Sequence, residues 1–194
     1  MFQRILSYFQ KTFYIQIWEK RIKVTDVDTG NCFDEKPYLA IETKSDGAKI
    51  VKAVGNSADM GNSSTIKVVN PFSHPRCLFS DFYVAEKVLQ HVIKTLHGKA
   101  FVSASPKIII HPMEKIEGGL TMIEKRAFRE LGHGAGAMEV VIYTGVEIAI
   151  DRLDYDSVKA QDEDFNGNLN KPRSNIGIII FFVIVAITIV VIGN

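Results

Sequence analysis

The sequence predicts one α/β domain followed by a single transmembrane helix at the C-terminal end. Three observations indicate this fold class: β-rich runs fill the first part of the chain, amphipathic helices alternate with short apolar strands in its middle, and an uncharged apolar run closes it. The 194 residues suffice for one domain with a core. The net charge of +1 provides no field that would attract nucleic acid, so we expect no nucleic-acid partner.

Residues 1–13 are expected to form an amphipathic N-terminal segment. Phe2, Ile5, Leu6 and Phe9 recur at helical spacing, while the basic residues lie off their stripe. A basic amphipathic helix with aromatic residues can lie in the interface of a membrane. The same stripe would also suit a helix docked on the core of the domain, and the sequence leaves both alternatives open.

Antiparallel strands are predicted next, because β-branched and aromatic residues recur in short runs bounded by turn residues. The last two of these runs flank Ser45, Asp46 and Gly47, a sequence typical of a hairpin turn. Residues 55–75 are polar and rich in turn-forming residues, so we expect a loop there. The predicted strands are residues 14–17, 22–27, 38–43 and 49–54.

The middle of the chain predicts a helix, a strand, a second helix and a second strand. Residues 81–97 carry apolar side chains at helical spacing. A second helix over residues 121–131 opens with Thr121, followed three residues later by Glu124, which is the pattern of a capping box. The short apolar runs that predict buried strands are residues 107–111 and 138–143.

The C-terminal part divides into a linker and an apolar segment. Residues 151–173 are acidic and poor in apolar side chains, which predicts a flexible linker. Residues 174–194 contain an uncharged run from Ile176 to Ile192. A helix rises about 1.5 Å per residue, so this run would span roughly 26 Å, close to the apolar thickness of a bilayer. The sequence therefore predicts a C-terminal transmembrane helix.

The residues within the apolar run predict that its insertion into a membrane is favourable, and the residues before it predict its orientation. Apolar side chains such as Phe181 and Phe182 make insertion favourable by about 4–8 kcal/mol in total. Lys171 and Arg173 precede the run, and no charged side chain follows it. Because positively charged residues stay on the inner side, we expect a single-pass protein whose domain faces the cytoplasm.

Several short segments of the chain resemble the sequence motifs of one protein family. Residues 81–94 read DFYVAEKVLQHVIK, and residues 124–130 and 134–140 read EKRAFRE and GAGAMEV. These blocks are similar to A-D-F-x-V-[TA]-E-x-M-[LI], V-E-R-R-A-I-R-E and G-A-G-A-R-E-V of MreB, the bacterial actin. Further blocks that follow the family order are residues 34–41 (DEKPYLAI), 53–55 (AVG) and 105–110 (SPKIII).

The resemblance implies the first domain of an actin-like, ribonuclease-H-like fold over residues 14–150. Proteins of this family have two α/β domains that clamp a nucleotide between them. Here the linker and the apolar run stand where the second domain would begin. The resemblance also implies that the expected transmembrane helix lies in the bacterial inner membrane.

The family's nucleotide-binding positions differ in this chain. Its first phosphate loop reads I-D-L-G-T-A-N-T, and the aligned residues 15–22 read IQIWEKRI. Gln16 replaces the acid of that loop, Trp18 replaces its glycine, and Glu19 adds a negative charge where phosphate would sit. Gly145 occupies the place of the water-positioning glutamate in the family's E-E-P motif. The resemblance therefore implies a pseudo-ATPase without catalytic residues and without a bound cofactor.

Two further segments bear on membrane contact and on local geometry. The family's membrane-touching hydrophobic loop follows the long helix, which here corresponds to residues 97–102. We expect Phe101 and Val102 to enter lipid, with capping of the core as the alternative. Residues 113–118 are an insertion relative to the family, so the local geometry there is not given by the resemblance.

These features predict a membrane-anchored, non-catalytic, MreB-like interaction module in cell-shape or envelope organisation. Its expected partners are membrane lipid and either MreB filaments or another envelope protein. Two alternatives stay open, namely a nucleotide-dependent MreB-type filament protein with a divergent ATP site and a membrane adaptor of another envelope machine. Cys32 and Cys77 lack the spacing of metal ligands, so we expect no metal site.

Overall fold

The computed structural model describes residues 10–60, 64–98 and 105–162 of the chain. Strands come first, and helices then alternate with strands. In chain order the elements are β1 (Thr12–Ile17), β2 (Ile22–Asp26), β3 (Cys32–Glu35), β4 (Leu39–Thr43), β5 (Lys49–Val54), β6 (Ile66–Val69), α1 (Phe82–His97), β7 (Lys107–Pro112), α2 (Met122–Gly134), β8 (Glu139–Ile142) and α3 (Tyr155–Gln161).

The larger sheet has five strands in the order β3-β2-β1-β7-β8. β1 pairs antiparallel with β2 and parallel with β7, and β7 pairs parallel with β8. The central strands are almost continuously apolar because both of their faces are covered. Ile15 lies in the middle of this arrangement, opposite Val24 on one side and Ile110 on the other.

The two predicted helices cover this sheet and contact each other. α1 buries a stripe of apolar residues at helical spacing, and the carboxylate of Asp81 caps it by accepting a hydrogen bond from the Val84 amide. α2 begins with the capping box of Thr121 and Glu124 that the sequence predicts. The buried side chains of α1 are Val84, Ala85, Val88, Leu89, Val92 and Ile93.

A smaller antiparallel sheet has the strand order β5-β4-β6. Its β4–β5 hairpin, with the turn at residues 45–47, confirms the sequence prediction. The loop predicted over residues 55–75 is wrong in part, since Gly55–Met60 form a 3-10 helix and Ile66–Val69 form β6. β3 was also not predicted. β3 and β6 have only four residues each. Pairing of β3 with β2 and of β6 with β4 stabilises them more than their own composition does.

The segment after β8 differs from the flexible linker expected over residues 151–173. Ile150–Arg152 form a 3-10 helix and Tyr155–Gln161 form α3, which packs against β8. Tyr155 and Val158 are buried, so the helix packs on the domain through apolar side chains. Residues 163–173 of the expected linker lie outside the described part of the chain.

The predicted membrane contacts fall outside the described residues. In the part of the chain that is described, no helix combines the length and the apolar character needed to cross a bilayer. The expected transmembrane segment at residues 174–194 therefore stays a prediction, as do the lipid contacts of the N-terminal segment and of the loop after α1. The residues concerned are Phe2, Ile5, Leu6, Phe9, Phe101, Val102, Ile176, Phe181, Phe182 and Ile192.

Candidate site at the β1–β2 turn

The candidate site lies at one edge of the larger sheet, where the parallel strands β1, β7 and β8 have their carboxyl ends. This edge is the usual position of ligand sites in α/β sheets. The turn of residues 18–21 follows β1, the insertion of residues 113–118 follows β7, and residues 143–147 follow β8. The structure therefore brings Gln16, the turn and the segment containing Gly145 to the same edge.

The β1–β2 turn is closed by its own backbone and by β3. The Trp18 amide donates a hydrogen bond to the Arg21 carbonyl at 2.9 Å. The Arg21 guanidinium stacks on the Trp18 ring at 4.7 Å from its centroid and donates two hydrogen bonds of 2.6 Å to the Asp34 carboxylate. These hydrogen bonds hold the pKa of Asp34 below its usual range. The bulky Trp18 thus fills the turn at the position of the family's glycine.

Glu19, the next residue of the turn, has all its polar groups engaged by other parts of the chain. Its amide donates to Glu114 Oε2 at 2.8 Å, and its carbonyl accepts from Asn70 Nδ2 at 2.8 Å. Its carboxylate pairs with the Lys115 ammonium at 2.8 Å, and this hydrogen bond lowers the pKa of Glu19. Lys115 also donates to the His74 carbonyl. The Glu114 carboxylate therefore accepts the hydrogen bond that the Glu19 amide would otherwise donate to a bound anion.

The two side chains that bind Glu19, Glu114 and Lys115, come from the insertion at residues 113–118. Lys115 has a φ of 58°, and within the described residues no other non-glycine residue has a positive φ. The left-handed conformation costs an L-residue roughly 1–2 kcal/mol, so the surrounding contacts must hold it. Glu114 and Lys115 are neighbours in the chain, and both contact Glu19, Lys115 from this strained conformation.

Gln16 is almost completely buried at the end of β1. Its side-chain amide donates a hydrogen bond of 2.8 Å to Glu147 Oε1, and Glu147 is exposed. A neutral carboxamide therefore occupies the position of the family's acid, while a carboxylate approaches from a different strand end. Sequence reasoning missed Glu147, because it lies two residues beyond the Gly145 position and matches no motif.

A buried chain of hydrogen bonds connects β1, β7 and the exit of β8. His111 Nε2 lies 3.0 Å from the Gly145 carbonyl oxygen, and Nδ1 lies 2.5 Å from the Tyr14 hydroxyl. A carbonyl can only accept, so Nε2 carries the proton and Nδ1 accepts from Tyr14. Burial lowers the pKa of His111 and raises the pKa of Tyr14 to about 12, which keeps both groups neutral.

The amides of Trp18 and Glu19 both donate to acceptors within the chain, so these two donors are not open to a phosphate. A groove of about 460 Å³ beside the turn is lined by acidic and basic side chains in near balance. Within the described residues, no group of three His, Cys, Asp or Glu side chains has the geometry of a metal site. The hydrogen bond and ion pair of Glu19 join the β1–β2 turn to the insertion after β7.

Comparisons with known proteins identify relatives of the chain. The sequence profile of the family described as MreB/Mbl protein matches residues 4–151. The cell shape-determining protein MreB of Pasteurella multocida is 30% identical over 146 residues, which are 73% of this chain and 40% of that protein. MreB of Escherichia coli strain K12 is 35% identical over 117 residues, or 58% of this chain and 32% of that protein. The chain thus spans two fifths or less of the length of these relatives.

A solved structure supports the fold. The crystal structure of MreB5 of Spiroplasma citri bound to ADP matches 70% of this chain and 38% of its own, with a TM-score of 0.54 and 18% identity. At this identity the similarity bears on the fold alone. It confirms the actin-like fold, and the family profile confirms the resemblance to MreB on which the sequence interpretation rested.

Proposed function

This chain belongs to the MreB/Mbl family, and we propose that it is a membrane-anchored, non-catalytic, actin-like interaction module in cell-shape or envelope organisation. One observation carries the non-catalytic part of the proposal, namely the 2.8 Å hydrogen bond from the Glu19 amide to the Glu114 carboxylate. A phosphate group would need this amide, and it would have to displace a side chain of its own sign.

Electrostatic repulsion makes that displacement unfavourable. Two unit charges of the same sign at about 4 Å repel by about 1 kcal/mol in water and by about 4 kcal/mol in the partly screened environment of a protein surface. A bound phosphate would face both Glu19 and Glu114. Lys115 is already engaged by Glu19 and by the His74 carbonyl, and Arg21 is engaged by Asp34. Two of the nearby cations, Lys115 and Arg21, are therefore already paired within the chain.

Gln16 supports the same conclusion from the other side of the site. Its neutral carboxamide cannot supply the negative charge that would hold the hydration shell of Mg²⁺, and its amide group is bound to Glu147. Gly145 has no side chain and contributes its carbonyl to His111. The proposed pseudo-ATPase thus uses the positions of the family's nucleotide site for hydrogen bonds that join three strand ends.

The test is thermal unfolding of the full chain with and without millimolar Mg·ATP. A ligand at a hundredfold excess over its Kd stabilises the folded state by about 2.7 kcal/mol, which is several degrees for a domain of this size. We expect no rise in Tm for this chain, while MreB of Escherichia coli serves as the comparison protein under the same conditions. A reproducible rise of several degrees in this chain would contradict the proposal.

A second candidate function is a nucleotide-dependent filament protein with a divergent site. Glu147 favours it, because its carboxylate returns an acid to the end of β1 beside Gln16. Sedimentation of the purified chain separates the two functions. A non-catalytic module should sediment as a monomer or a small oligomer with or without ATP, whereas ATP-dependent polymers would favour the second candidate.

The proposed location is the inner membrane, with the domain on the cytoplasmic side. The uncharged run at residues 174–194, preceded by Lys171 and Arg173, supports this placement. The proposed partners are membrane lipid and MreB filaments, and another envelope protein is the alternative. Imaging of the tagged full chain before and after MreB filaments are dissolved tests the choice, since an unchanged membrane distribution would favour an adaptor of another machine.

A further inference from the structure

An apolar groove lies between the smaller sheet and the first turns of α1. We call it the α1–β5 groove. Leu39, Ile41 and Val84 form its floor, and its volume is about 210 Å³. Val51 and Tyr83 form its walls and are 45% and 79% exposed, respectively. A groove of this size accommodates one large apolar side chain that reaches in from outside.

The strand register explains why these side chains meet. Ile41 is paired directly with Val51 across β4 and β5, and paired residues of antiparallel strands project from the same face. Lys49 lies two residues before Val51 on β5, so it projects from that face as well. On α1, Tyr83 and Lys87 are four residues apart and share one side of the helix.

The groove carries two positively charged side chains. Lys49 and Lys87 both line it, and neither ammonium has an ion-pair partner among the described residues. Lys87 donates a hydrogen bond only to the neutral Gln90 side chain, at 3.0 Å. Lys52 on the same strand differs, because Glu42 pairs with it at 2.9 Å. Lys52 is thus neutralised by Glu42, whereas no acidic side chain in the described part of the chain lines the groove beside Lys49 and Lys87.

We propose that the α1–β5 groove is a docking site for an acidic segment of a partner protein. The segment inserts one large apolar side chain between Val51 and Tyr83 and pairs its flanking carboxylates with Lys49 and Lys87. β5 is the outer strand of its sheet, so an extended segment can lie along it. The proposal does not depend on whether the β1–β2 turn binds nucleotide.

The shape of the groove favours a peptide over a lipid surface. A lipid surface binds a broad patch of basic and apolar residues that protrude together. Here the apolar floor is recessed between a strand and a helix, and only two lysines flank it. A single side chain with carboxylates on either side fits this recess, while a bilayer would contact the walls and leave the floor empty.

A binding experiment tests the proposal with a defined probe. The probe is a short fluorescein-labelled peptide with a central phenylalanine between paired glutamates, and its control has alanine in place of the phenylalanine. Fluorescence polarisation with the full chain in detergent should show saturable binding that weakens with salt. We expect the double variant Lys49→Glu, Lys87→Glu to lose at least about tenfold in affinity, since each substitution turns an attraction into a repulsion. Lys94→Glu, on the same helix but outside the groove, should bind like the unmodified chain.

A photo-crosslinking experiment locates the contact independently of stability. Tyr83 is replaced by p-benzoylphenylalanine, and in a control chain Met122 is replaced instead, since it is similarly exposed at 81%. The peptide should crosslink at position 83 and not at position 122. Equal binding by the alanine peptide, or by the double lysine variant, would overturn the proposal. Crosslinks between two copies of the chain would assign the groove to self-association and would also overturn the proposal. The same holds if the peptide does not bind and the lysine variant loses binding to anionic vesicles, which would assign the groove to lipid.

Discussion

At the scale of single residues, the β1–β2 turn differs from a phosphate-binding turn in the partners of its amide groups. Glycine-rich phosphate loops leave several amides free and clear of side chains. Here Trp18 fills the turn, and the amide of Glu19 already has Glu114 as an acceptor. The carboxylate resembles a phosphate in charge and hydrogen-bonding capacity, so the chain satisfies this position without a ligand.

The contribution of Glu114 to stability can be measured directly. Glu114→Ala removes the acceptor of the Glu19 amide and should lower the free energy of unfolding by about 1 kcal/mol, which is roughly 2–4 °C in Tm. Glu117→Ala is the matched control, because Glu117 is an exposed acid of the same insertion and should stay within about 0.5 kcal/mol of the unmodified chain. Equal effects of the two substitutions would show that the Glu114 carboxylate does not hold the turn.

His111 should make stability depend on pH in a defined window. Burial lowers its folded-state pKa below the ordinary value of about 6.5, so below about pH 6.5 the unfolded chain binds a proton more readily than the folded one. This contribution to stability is complete above pH 6.5 and is lost as pH falls toward the folded-state pKa. His97 acts in the same direction, because burial lowers its pKa too.

Thermal unfolding between pH 7.5 and about pH 5 measures this effect. His111→Gln keeps a donor for the Gly145 carbonyl but cannot titrate, so it should lose less Tm over this range than the unmodified chain. His91→Gln serves as the control, because His91 is an exposed residue of α1. If His111→Gln and the unmodified chain had parallel Tm profiles, the proposed neutral, buried state of His111 would be wrong.

At the scale of secondary structure, the long, strongly patterned elements could be predicted from sequence and the short ones could not. The capping box of Thr121 and Glu124 and the apolar stripe of α1 are local signals, and the structure confirms them. β3, β6 and α3 are stabilised by distant partners, so their own residues carry little signal. The same holds for the candidate site: substitutions at Gln16 and Trp18 are visible in sequence, whereas the approach of Glu114 to Glu19 depends on the fold.

Asp162 shows how a distant partner holds an element in place. It is 4% exposed, and its Oδ2 accepts from the Ile142 amide of β8 at 2.9 Å. Its Oδ1 accepts from Arg129 of α2 at 2.5 Å. The carboxylate therefore satisfies an amide at the edge of the larger sheet and joins the end of α3 to two other elements.

Removal of that carboxylate should be costly. Asp162→Ala leaves a buried amide without this acceptor and deprives Arg129 of its paired carboxylate, so we expect the free energy of unfolding to fall by about 2–4 kcal/mol. Asp156→Ala, an exposed acid of the same helix, should change it by about 0.5 kcal/mol or less. Chemical denaturation of both variants measures the difference. A loss of under about 1 kcal/mol for Asp162→Ala would mean that α3 is not anchored through this residue.

At the scale of the whole molecule, the chain matches only part of the length of its MreB relatives. Head-to-tail filaments use a heterologous contact that repeats from subunit to subunit. The MreB relatives are more than twice as long as the part of their sequence that this chain matches. A module that offers part of this surface would bind a filament at one contact rather than extend it. Attachment to a membrane would raise its local concentration there and strengthen a weak single contact.

The expected anchor at residues 174–194 should decide whether the chain stays in the membrane fraction. The apolar run from Ile176 to Ile192 has no charged side chain, and its transfer into a bilayer is favourable by about 4–8 kcal/mol. The full chain should therefore remain in the membrane fraction after carbonate extraction, whereas a chain that ends at Asn170 should be released. If the N-terminal segment with Phe2, Ile5, Leu6 and Phe9 also binds lipid, the shortened chain should attach only weakly and should dissociate in salt, because its contact would be interfacial and partly electrostatic. Extraction of both chains to the same extent would exclude the C-terminal run as the anchor and would leave the N-terminal segment as the membrane contact to be tested by substituting Phe2 and Phe9.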